Sequence, residues 1–311
     1  MSFFINTNLT ALSAQRSVNI ASNKLDTAYE RLSSGLKINS AKDDPAGVQT
    51  SDRLTVQINS LNQTNRNAQD AISYAQTAEG AIEEITTMLQ RIRTLAIQSA
   101  NGINASDNRK ALQNEVDQLN EEIGRIARDT TFGGQDLLSG NASIVRFQIS
   151  PDPGSIIKID LATGFDTDSL AKMAAKVSGD EYFELPVDSG VTPSRYKYED
   201  IFSYNVNGGG IDISSSSMAQ IVLAGIDSLI TAVDTKRSEL GAIQNRLEST
   251  IRNQENVKTN VTDSRAQIRD SDYAEEVSNM TAQQILQQGA VTILTQANQK
   301  PQIALQMLQD S

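Results

Sequence analysis

The stretch that decides the fold is residues 54–96, "LTVQINSLNQTNRNAQDAISYAQTAEGAIEEITTMLQRIRTLA". Apolar residues recur in it at alternating spacings of three and four, which is the pattern of a helix that buries one face. The positions of this stripe are Leu54, Ile58, Leu61, Asn65, Ala68, Ile72, Ala75, Glu79, Ile82, Ile85, Leu89, Ile92 and Ala96. The pattern outlasts the roughly three to four heptads that a coiled-coil prediction needs, so it indicates one long helix packed along a seam.

Two further stripes predict partners for this helix. The first stripe stops at Asn101-Gly102, a good helix end, and a second helix is expected from Ser106-Asp107 onward. Its apolar positions are Leu112, Val116, Leu119, Ile123 and Ile126. The third stripe comprises Ile226, Leu229, Val233, Leu240, Ile243, Leu247, Ile251, Val257, Val261 and Ile268. We therefore expect a mainly α fold of long, antiparallel, coiled-coil-like rods built from both ends of the chain.

The spacing of apolar residues changes between the second and third stripes. "IVRFQI" and "IIKIDL" alternate apolar and polar residues on either side of the turn "SPDPGS", which predicts a β-hairpin near residues 144–161. A short helix is expected over residues 168–177. Residues 179–210 hold six of the 14 Phe and Tyr residues, so we expect a small mixed module there. Its end, "NGGGID" at residues 207–212, lacks the Lys-Ser/Thr of a phosphate-binding loop and is interpreted as a flexible return.

Both ends of the chain carry thinner stripes in which amide side chains share the seam. The apolar positions expected to make packing contacts are Ile5, Leu9, Leu12, Leu25, Leu32, Val277, Met280, Val291, Leu294, Leu305 and Leu308. Helices with so few large apolar side chains recover little of the conformational entropy that is lost on folding. We therefore expect the terminal helices to be marginal alone and to pack against other copies of the chain.

Composition excludes several kinds of function. The formal charge of −11 and the pI near 4.6 argue against nucleic acid or an anionic membrane as partner, because both bind basic surfaces. The chain has no histidine and no cysteine, which excludes Ser-His-Asp triads, cysteine nucleophiles and metal sites built from those residues. It also has no apolar run of roughly 18 residues, and its first residues lack the basic n-region and long apolar core of a secretory signal, so we expect neither a membrane span nor such a signal. We predict a protein without catalytic residues, metal or cofactor; composition alone would place it in the cytoplasm.

The stretch "ERLSSGLKINSAKDDPAG", residues 30–47, crowds serine, lysine and aspartate together as a catalytic loop would. Gly35 is placed to take the positive φ of a helix C-cap. Asp43 or Asp44 can cap the next helix, with Pro45 in its first turn. We interpret the stretch as a hinge between two helices.

Other polar residues also have a chemical alternative. Ser33 or Ser34 with Lys37 could form a Ser-Lys nucleophile pair, but nothing nearby in the sequence supplies an oxyanion site. Asn65 and Glu79 could be ligands, but a polar residue on a coiled-coil seam more often fixes the register of the helices. The structural interpretation is preferred in both cases.

The residues at both ends resemble those of bacterial flagellin, the subunit of the flagellar filament. The N-terminal matches are "FFINTNLTALSAQ", "ERLSSGLKINSAKDDPAG", "AQTAEGAI" and "LQRIRTLAIQSANG". The C-terminal matches are "DSDYAEEVSNMTAQQILQQ" and "QANQKPQIALQML". The resemblance covers roughly residues 1–165 and 215–311, and it implies a structural protein that self-assembles for motility. A flagellin-like hook-filament junction protein is the alternative.

The resemblance also implies three domains. Residues 1–43 with 271–311 would form an inner helical domain that lines the filament. Residues 44–178 with 211–270 would form the helical rods and the hairpin, and the remaining module, from 179 to 210, would face outward.

Partners follow from the same resemblance. Flagellins leave the cell unfolded through the flagellar type III export channel and become extracellular. The expected partners are other copies of the chain, an export chaperone at the C-terminal helix, and the hook-associated junction and cap proteins. A Toll-like innate immune receptor recognises a flagellin surface that matches Gln90, Arg91, Leu95, Gln98 and Glu115 in this sequence.

Overall fold

The computed structural model describes residues 7–140, 144–178, 182–184, 195–198 and 210–309. Its helices are α1 (Leu9–Ser34), α2 (Pro45–Ala100), α3 (Ser106–Asp129), α4 (Thr167–Ser178), α5 (Ser216–Arg269) and α6 (Tyr273–Gln309). Its strands are β1 (Thr131–Phe132), β2 (Gln135–Asp136), β3 (Val145–Gln148), β4 (Ile156–Ile159), β5 (Tyr182–Glu184) and β6 (Arg195–Lys197). The long helices and few short strands confirm the mainly α fold. Ile5 and most of the predicted module lie outside the described residues.

The chain divides into two compact units, Met1–Asn59 with Asn256–Ser311 and Ser60–Glu255. Both divisions fall within helices, α2 in one case and α5 in the other. The boundaries predicted from the sequence, at 43–44 and 270–271, lie instead where helices begin and end. Those boundaries stay a prediction about the assembled protein.

In the first unit, α1 and α6 pack antiparallel. Asn8 Nδ2 donates to Ala297 O at 2.8 Å near the start of α1. Near its end, Leu36 forms an antiparallel bridge with Asp270. The buried residues of α1 are Ala14, Ala21, Leu25 and Ala28. With one leucine among four, this seam buries little apolar surface, so it contributes little hydrophobic stabilisation.

Amide side chains supplement the α1–α6 seam, as the sequence predicted. Gln284 Nε2 donates to Tyr29 Oη at 2.8 Å, and Gln287 Nε2 donates to Ser22 Oγ at 3.2 Å. These bonds are partly exposed, and the net contribution of each such bond to stability is only about 1 kcal/mol. The pair is thus held by local polar contacts and small side chains.

The second unit has a much larger apolar core. Its α2 stripe is buried at Ile82, Ile85, Leu89 and Ile92, each 0% exposed. The same cluster contains Val116 and Ile123 of α3, Leu161, Phe165 and Leu170 around α4, and Leu229, Val233 and Leu240 of α5. Burial of one such side chain contributes about 1.5–3 kcal/mol, so this cluster accounts for the stability of the rods.

The hairpin prediction is confirmed. β3 pairs antiparallel with β4, with Val145 opposite Ile159 and Phe147 opposite Ile157. The apolar face of β4 is buried at Ile157 and Ile159. Tyr74 of α2 packs edge-on against Phe147 with 5.6 Å between ring centroids, and burial raises the pKa of the Tyr74 hydroxyl. The alternation in the sequence therefore fixes which face of the hairpin meets the helix.

Of the two polar residues predicted to fix the register of α2, Glu79 is paired across the seam with α5, whereas the buried Oδ1 of Asn65 has no hydrogen-bond partner among the described residues. Gln244 Nε2 donates to Glu79 Oε2 at 2.7 Å. Thr64 Oγ1 donates to Gln254 Oε1 at 3.1 Å, and Gln254 Nε2 donates to the carbonyl of Ile149 at the end of the hairpin. These contacts each specify one partner, which is the behaviour expected of register-fixing residues.

The sequence predicts a flexible return over residues 207–212, of which the structure describes 210–212. Gly210 and Ile211 are buried, as is the next isoleucine, Ile213, while Asp212 is half-buried, so the prediction is wrong for this described part. Ser99 Oγ donates to Ile213 O at 2.5 Å, and Gln113 of α3 bonds both Ile211 and Ile213. The two isoleucines are 0% exposed, so the segment is part of the core.

α5 contains an 18-residue window with a mean hydropathy of 1.5, enough by length and composition to cross a membrane. Buried residues make up 44% of that window. Its apolar residues, among them Ile226 and Leu229, belong to the core cluster described above. The hydropathy of α5 is therefore that of a core helix.

Candidate assembly surface

Gly35 ends α1. Its φ is +71°, in the left-handed region, and its N–H donates to Arg31 O at 2.8 Å. The carbonyl of Gly35 accepts from the N–H of Ser271 at 3.0 Å, so the chain that follows α1 meets the chain that precedes α6. Glycine is favoured here because an L side chain pays a steric penalty at this φ.

Asp43 organises the turn that follows. Its Oδ2 accepts from the N–H of Ser40 at 2.9 Å, from the N–H of Asn39 at 3.1 Å and from Ser40 Oγ at 3.2 Å. The backbone bonds from Ser40 and then Asn39 hold the pKa of the Asp43 carboxyl below its ordinary value. The carboxylate thus acts as a structural acceptor for the turn.

Asp44 caps α2. Its Oδ1 accepts from the N–H of Ala46 at 3.1 Å, and Pro45 is the first residue of the helix. A Cβ on Gly47 would lie 2.6 Å from Ile38 Cδ1 and 2.5 Å from Asp44 Oδ2, so a larger residue would displace the cap. The structure therefore places Gly35, Asp43, Asp44 and Pro45 at a helix end, a turn and a helix start, while their role as a hinge stays a prediction.

The predicted packing residues of α1 and α6 fall into two groups. Leu25 is buried between the helices, while Leu32, Val277, Met280 and Leu294 are half-buried. Leu9, Leu12 and Val291 are exposed by 65%, 59% and 47%. The side chains of Leu305 and Leu308 lie outside the described residues. Only the buried and half-buried group can serve the contact between α1 and α6; the exposed group is free for other contacts.

The outward face of the pair carries further large apolar side chains that the stripe analysis missed. They are Ile20, Tyr29, Tyr273, Ile285, Leu286 and Ile293, each between 47% and 64% exposed. Tyr29 also accepts the bond from Gln284 described above. A periodic stripe in the sequence indicates only the side of a helix that is buried within the chain, and these exposed side chains are not part of it. The available signal was instead the absence of charge, because α6 has no charged residue from Val277 to Gln299.

We define the assembly face as Leu9, Leu12, Ile20, Ile285, Leu286, Val291 and Ile293. Four of these residues line an open groove of about 740 Å³, with Ile20 on one side and Ile285, Leu286 and Ile293 on the other. Small residues, including Ala14 and Gly289, also line this groove. An exposed apolar face of this kind marks an interaction surface in soluble proteins.

The residues that match an immune-receptor surface lie in the second unit. Arg91 Nη2 and Glu115 Oε1 are 2.7 Å apart, which joins α2 to α3, and Gln90 and Gln98 are exposed. Leu95 is 1% exposed and belongs to the core cluster, so the prediction that it lies on this surface is wrong. Leu95 lies four residues after the exposed Arg91, but it also lies three residues after the buried Ile92, and its side chain faces the core with that of Ile92.

Comparisons with known proteins cover nearly the whole chain. Residues 5–143 match the family model described as the bacterial flagellin N-terminal helical region, and residues 223–308 match the one described as the C-terminal helical region. The chain is 38% identical to Flagellin D of Vibrio anguillarum and 38% identical to Flagellin B of Vibrio cholerae serotype O1. Each alignment covers 99% of this chain and 100% of the relative.

One solved structure shows a similar fold. It is that of a protein from Vibrio parahaemolyticus provisionally named as flagellar hook-associated, with a TM-score of 0.54 at 14% identity. The match covers 73% of this chain and 100% of that one. The likeness at this identity concerns the fold alone.

Proposed function

The chain belongs to the bacterial flagellin family and is a structural subunit of the extracellular flagellar filament; from this premise we propose that the assembly face joins neighbouring copies. The observation that carries the proposal is the exposure of large apolar side chains on two helices that share only a thin seam. Each such side chain contributes about 1.5–3 kcal/mol when it is fully buried.

The charge distribution supports another copy of this chain as the partner. A helix that faces water normally has a charged outer face, yet Ile285, Leu286 and Ile293 lie within the uncharged segment of α6. The segment itself therefore brings no charge into a contact with another copy, and Lys24 is the charged residue among those that line the groove. The net charge of −11 opposes association at long range, so added salt should promote assembly by screening it.

The test is substitution on the assembly face of the full-length protein. Leu286→Asp places a charge at a side chain that is 58% exposed. The monomer should therefore keep its thermal transition, while filaments seeded with short fragments should fail to elongate in negative-stain microscopy. Ile103→Asp is the matched control, since Ile103 is 88% exposed but belongs to the second unit. Normal filaments from Leu286→Asp, or equal loss in both variants, would contradict the proposal.

Deletion of residues 296–311 tests the same surface by removing the end of α6. Filaments should be lost and the melting transition of the rods should be retained, because the core cluster contains no residue of α6. A junction protein would form short assemblies or none even without the deletion, so long tubes from the intact chain distinguish the two alternatives. The comparisons give the junction alternative no support beyond the shared fold.

The remaining partners are part of the proposal. We place the export chaperone on α6, because its exposed apolar side chains need cover before assembly. Passage in an unfolded state through the flagellar export channel is compatible with a chain that has no cysteine to cross-link. The hook-associated junction and cap proteins would meet the same face at the two ends of a filament. A Toll-like receptor would contact Gln90, Arg91, Gln98 and Glu115.

A further inference from the structure

The turn between α2 and α3 contains Asn101 followed by Gly102, and both residues are exposed. An asparagine side chain can be attacked by the backbone nitrogen of the next residue, and glycine offers the least steric hindrance to that attack. A Cβ at Gly102 would meet no atom within 4 Å, so alanine can be placed there without a clash as a test of that hindrance. The sequence pair alone, however, says nothing about whether the turn favours the reaction.

The turn directs hydrogen-bond donors to both carbonyl oxygens of Asn101. The N–H of Ile103 donates to the side-chain Oδ1 at 3.3 Å. The main-chain oxygen accepts from the N–H of Asn104 at 3.2 Å and from Arg109 Nη2 at 3.2 Å. Arg109 is itself anchored, because its Nε donates to Ser99 O at 2.9 Å. These donors are therefore in place before any reaction begins.

We propose that Asn101 is a self-catalysed deamidation site activated by Arg109. Removal of the Gly102 N–H proton leaves negative charge that is shared between the nitrogen and the Asn101 main-chain oxygen. The guanidinium and the Asn104 N–H stabilise that charge at the oxygen, as donors in an oxyanion hole do. The Ile103 N–H stabilises the charge that develops on Oδ1 when the nitrogen attacks Cγ.

The step balances without any cofactor. Solvent base takes the Gly102 proton, the nitrogen forms a bond to Asn101 Cγ, and the side-chain nitrogen leaves with a solvent proton as ammonia. Water then opens the five-membered imide at either carbonyl. Opening at Cγ gives aspartate; opening at the main-chain carbonyl gives isoaspartate, in which the backbone passes through the side chain.

The products change the turn. Either product adds one negative charge just beyond the C-terminal end of α2, where the helix dipole disfavours it. Isoaspartate also lengthens the backbone by one methylene and displaces the carbonyl that Arg109 and Asn104 bind. A filament subunit that is not replaced would accumulate this change at Asn101 with age.

The same turn supplies an internal control. Asn104 precedes Ala105, and its amide Nδ2 donates to Gln98 O at 2.6 Å, which ties the side chain down. Asn104 should therefore convert far more slowly than Asn101. Gly102→Ala should slow conversion of Asn101 most strongly, because it hinders the attacking nitrogen without a clash elsewhere.

The experiment incubates the full-length protein at mildly alkaline pH and follows the peptides of Asn101 and Asn104 by mass spectrometry, with isoaspartate resolved. Arg109→Ala should slow conversion of Asn101 several-fold. Arg128→Ala, on the same helix but remote from the turn in sequence, should leave the rate unchanged. Circular dichroism melts establish that each variant keeps its fold.

Two results would overturn the proposal. One is conversion of Asn101 no faster than that of Asn104. The other is an Arg109→Ala variant that converts as fast as the unsubstituted protein, or faster, while Gly102→Ala blocks the reaction. That second outcome would mean that the Asn-Gly pair alone sets the rate.

Discussion

The side-chain amide of Gln113 accepts a hydrogen bond from the backbone of Ile213, although the two residues are 100 positions apart in sequence. The Ile213 N–H donates to Gln113 Oε1 at 2.6 Å, and Gln113 Nε2 donates to the nearby Ile211 O at 2.8 Å. A single side chain of α3 thereby satisfies a buried donor and a buried acceptor where the chain returns from the variable module. These two bonds therefore hold the returning chain against α3.

Gln113→Leu should lower the free energy of unfolding by about 1–3 kcal/mol for each buried group that it leaves without a partner. Urea denaturation measures the change. Gln118→Leu, at an exposed position of the same helix, is the control and should have little effect. Equal midpoints for the two variants would show that water replaces the lost bonds.

Gly35→Ala should destabilise the first unit by about 1 kcal/mol, because an L residue is strained at a φ of +71°. No atom lies within 4 Å of the added Cβ, so the effect isolates the backbone conformation. Gly289→Ala is the matched control in helix α6, where the Cβ also meets nothing, and it should stabilise by about 0.5–1 kcal/mol. Thermal melts of the monomers measure both; shifts of the same sign would refute the capping argument.

Asp43→Asn should make stability less dependent on pH in the acid range. The bonds from Ser40 and Asn39 lower the pKa of Asp43 in the folded protein below its ordinary value of 3.8. The carboxylate therefore stabilises the fold above that value, and its contribution is lost as pH falls through the lower folded pKa. Melting temperatures should differ between Asp43→Asn and the unsubstituted protein at neutral pH and converge in acid.

A difference between Asp43→Asn and the unsubstituted protein that stays constant down to the most acidic pH would assign the effect to packing rather than to charge.

Leu95→Ala should cost about 2–5 kcal/mol, the usual range for truncating a buried leucine. Gln98→Ala, three residues further on and exposed, should change stability by no more than about 0.5 kcal/mol. Chemical denaturation of both variants tests the corrected position of Leu95. A loss at Leu95 as small as that at Gln98 would mean that the Leu95 side chain is exposed.

Periodicity located the rods because the residues that repeat along α2 are the residues that are buried. Ile82, Ile85, Leu89 and Ile92 follow the spacing of the helix and lie in the core. The alternation around Phe147 and Ile157 likewise predicted the hairpin, since successive side chains of a strand point to opposite faces. Gly35 and Pro45 marked helix ends through backbone preferences that are local to each residue.

The same logic failed where a residue's environment depends on distant parts of the chain. The sequence predicts a flexible return because nothing along the chain shows that Gln113, on another helix, bonds the backbone of Ile211 and Ile213. Leu95 was placed on the surface through resemblance, although the buried stripe of α2 includes it. The exposed residues Ile20 and Ile293 were missed because a helical stripe identifies the face that is buried within the chain, not a face kept for another copy.

The sequence by itself determined the helices, the hairpin, the caps at Gly35 and Asp44, and the absence of histidine and cysteine chemistry. These properties depend on spacing, backbone preference and composition, all of which can be read along the chain. Only the tertiary structure decided that Gln113 closes the rods, that Arg109 reaches the carbonyl of Asn101, and that α1 and α6 leave a large apolar face uncovered. Each of these depends on which side chains meet across elements, and contacts of that kind arise only when the chain is packed.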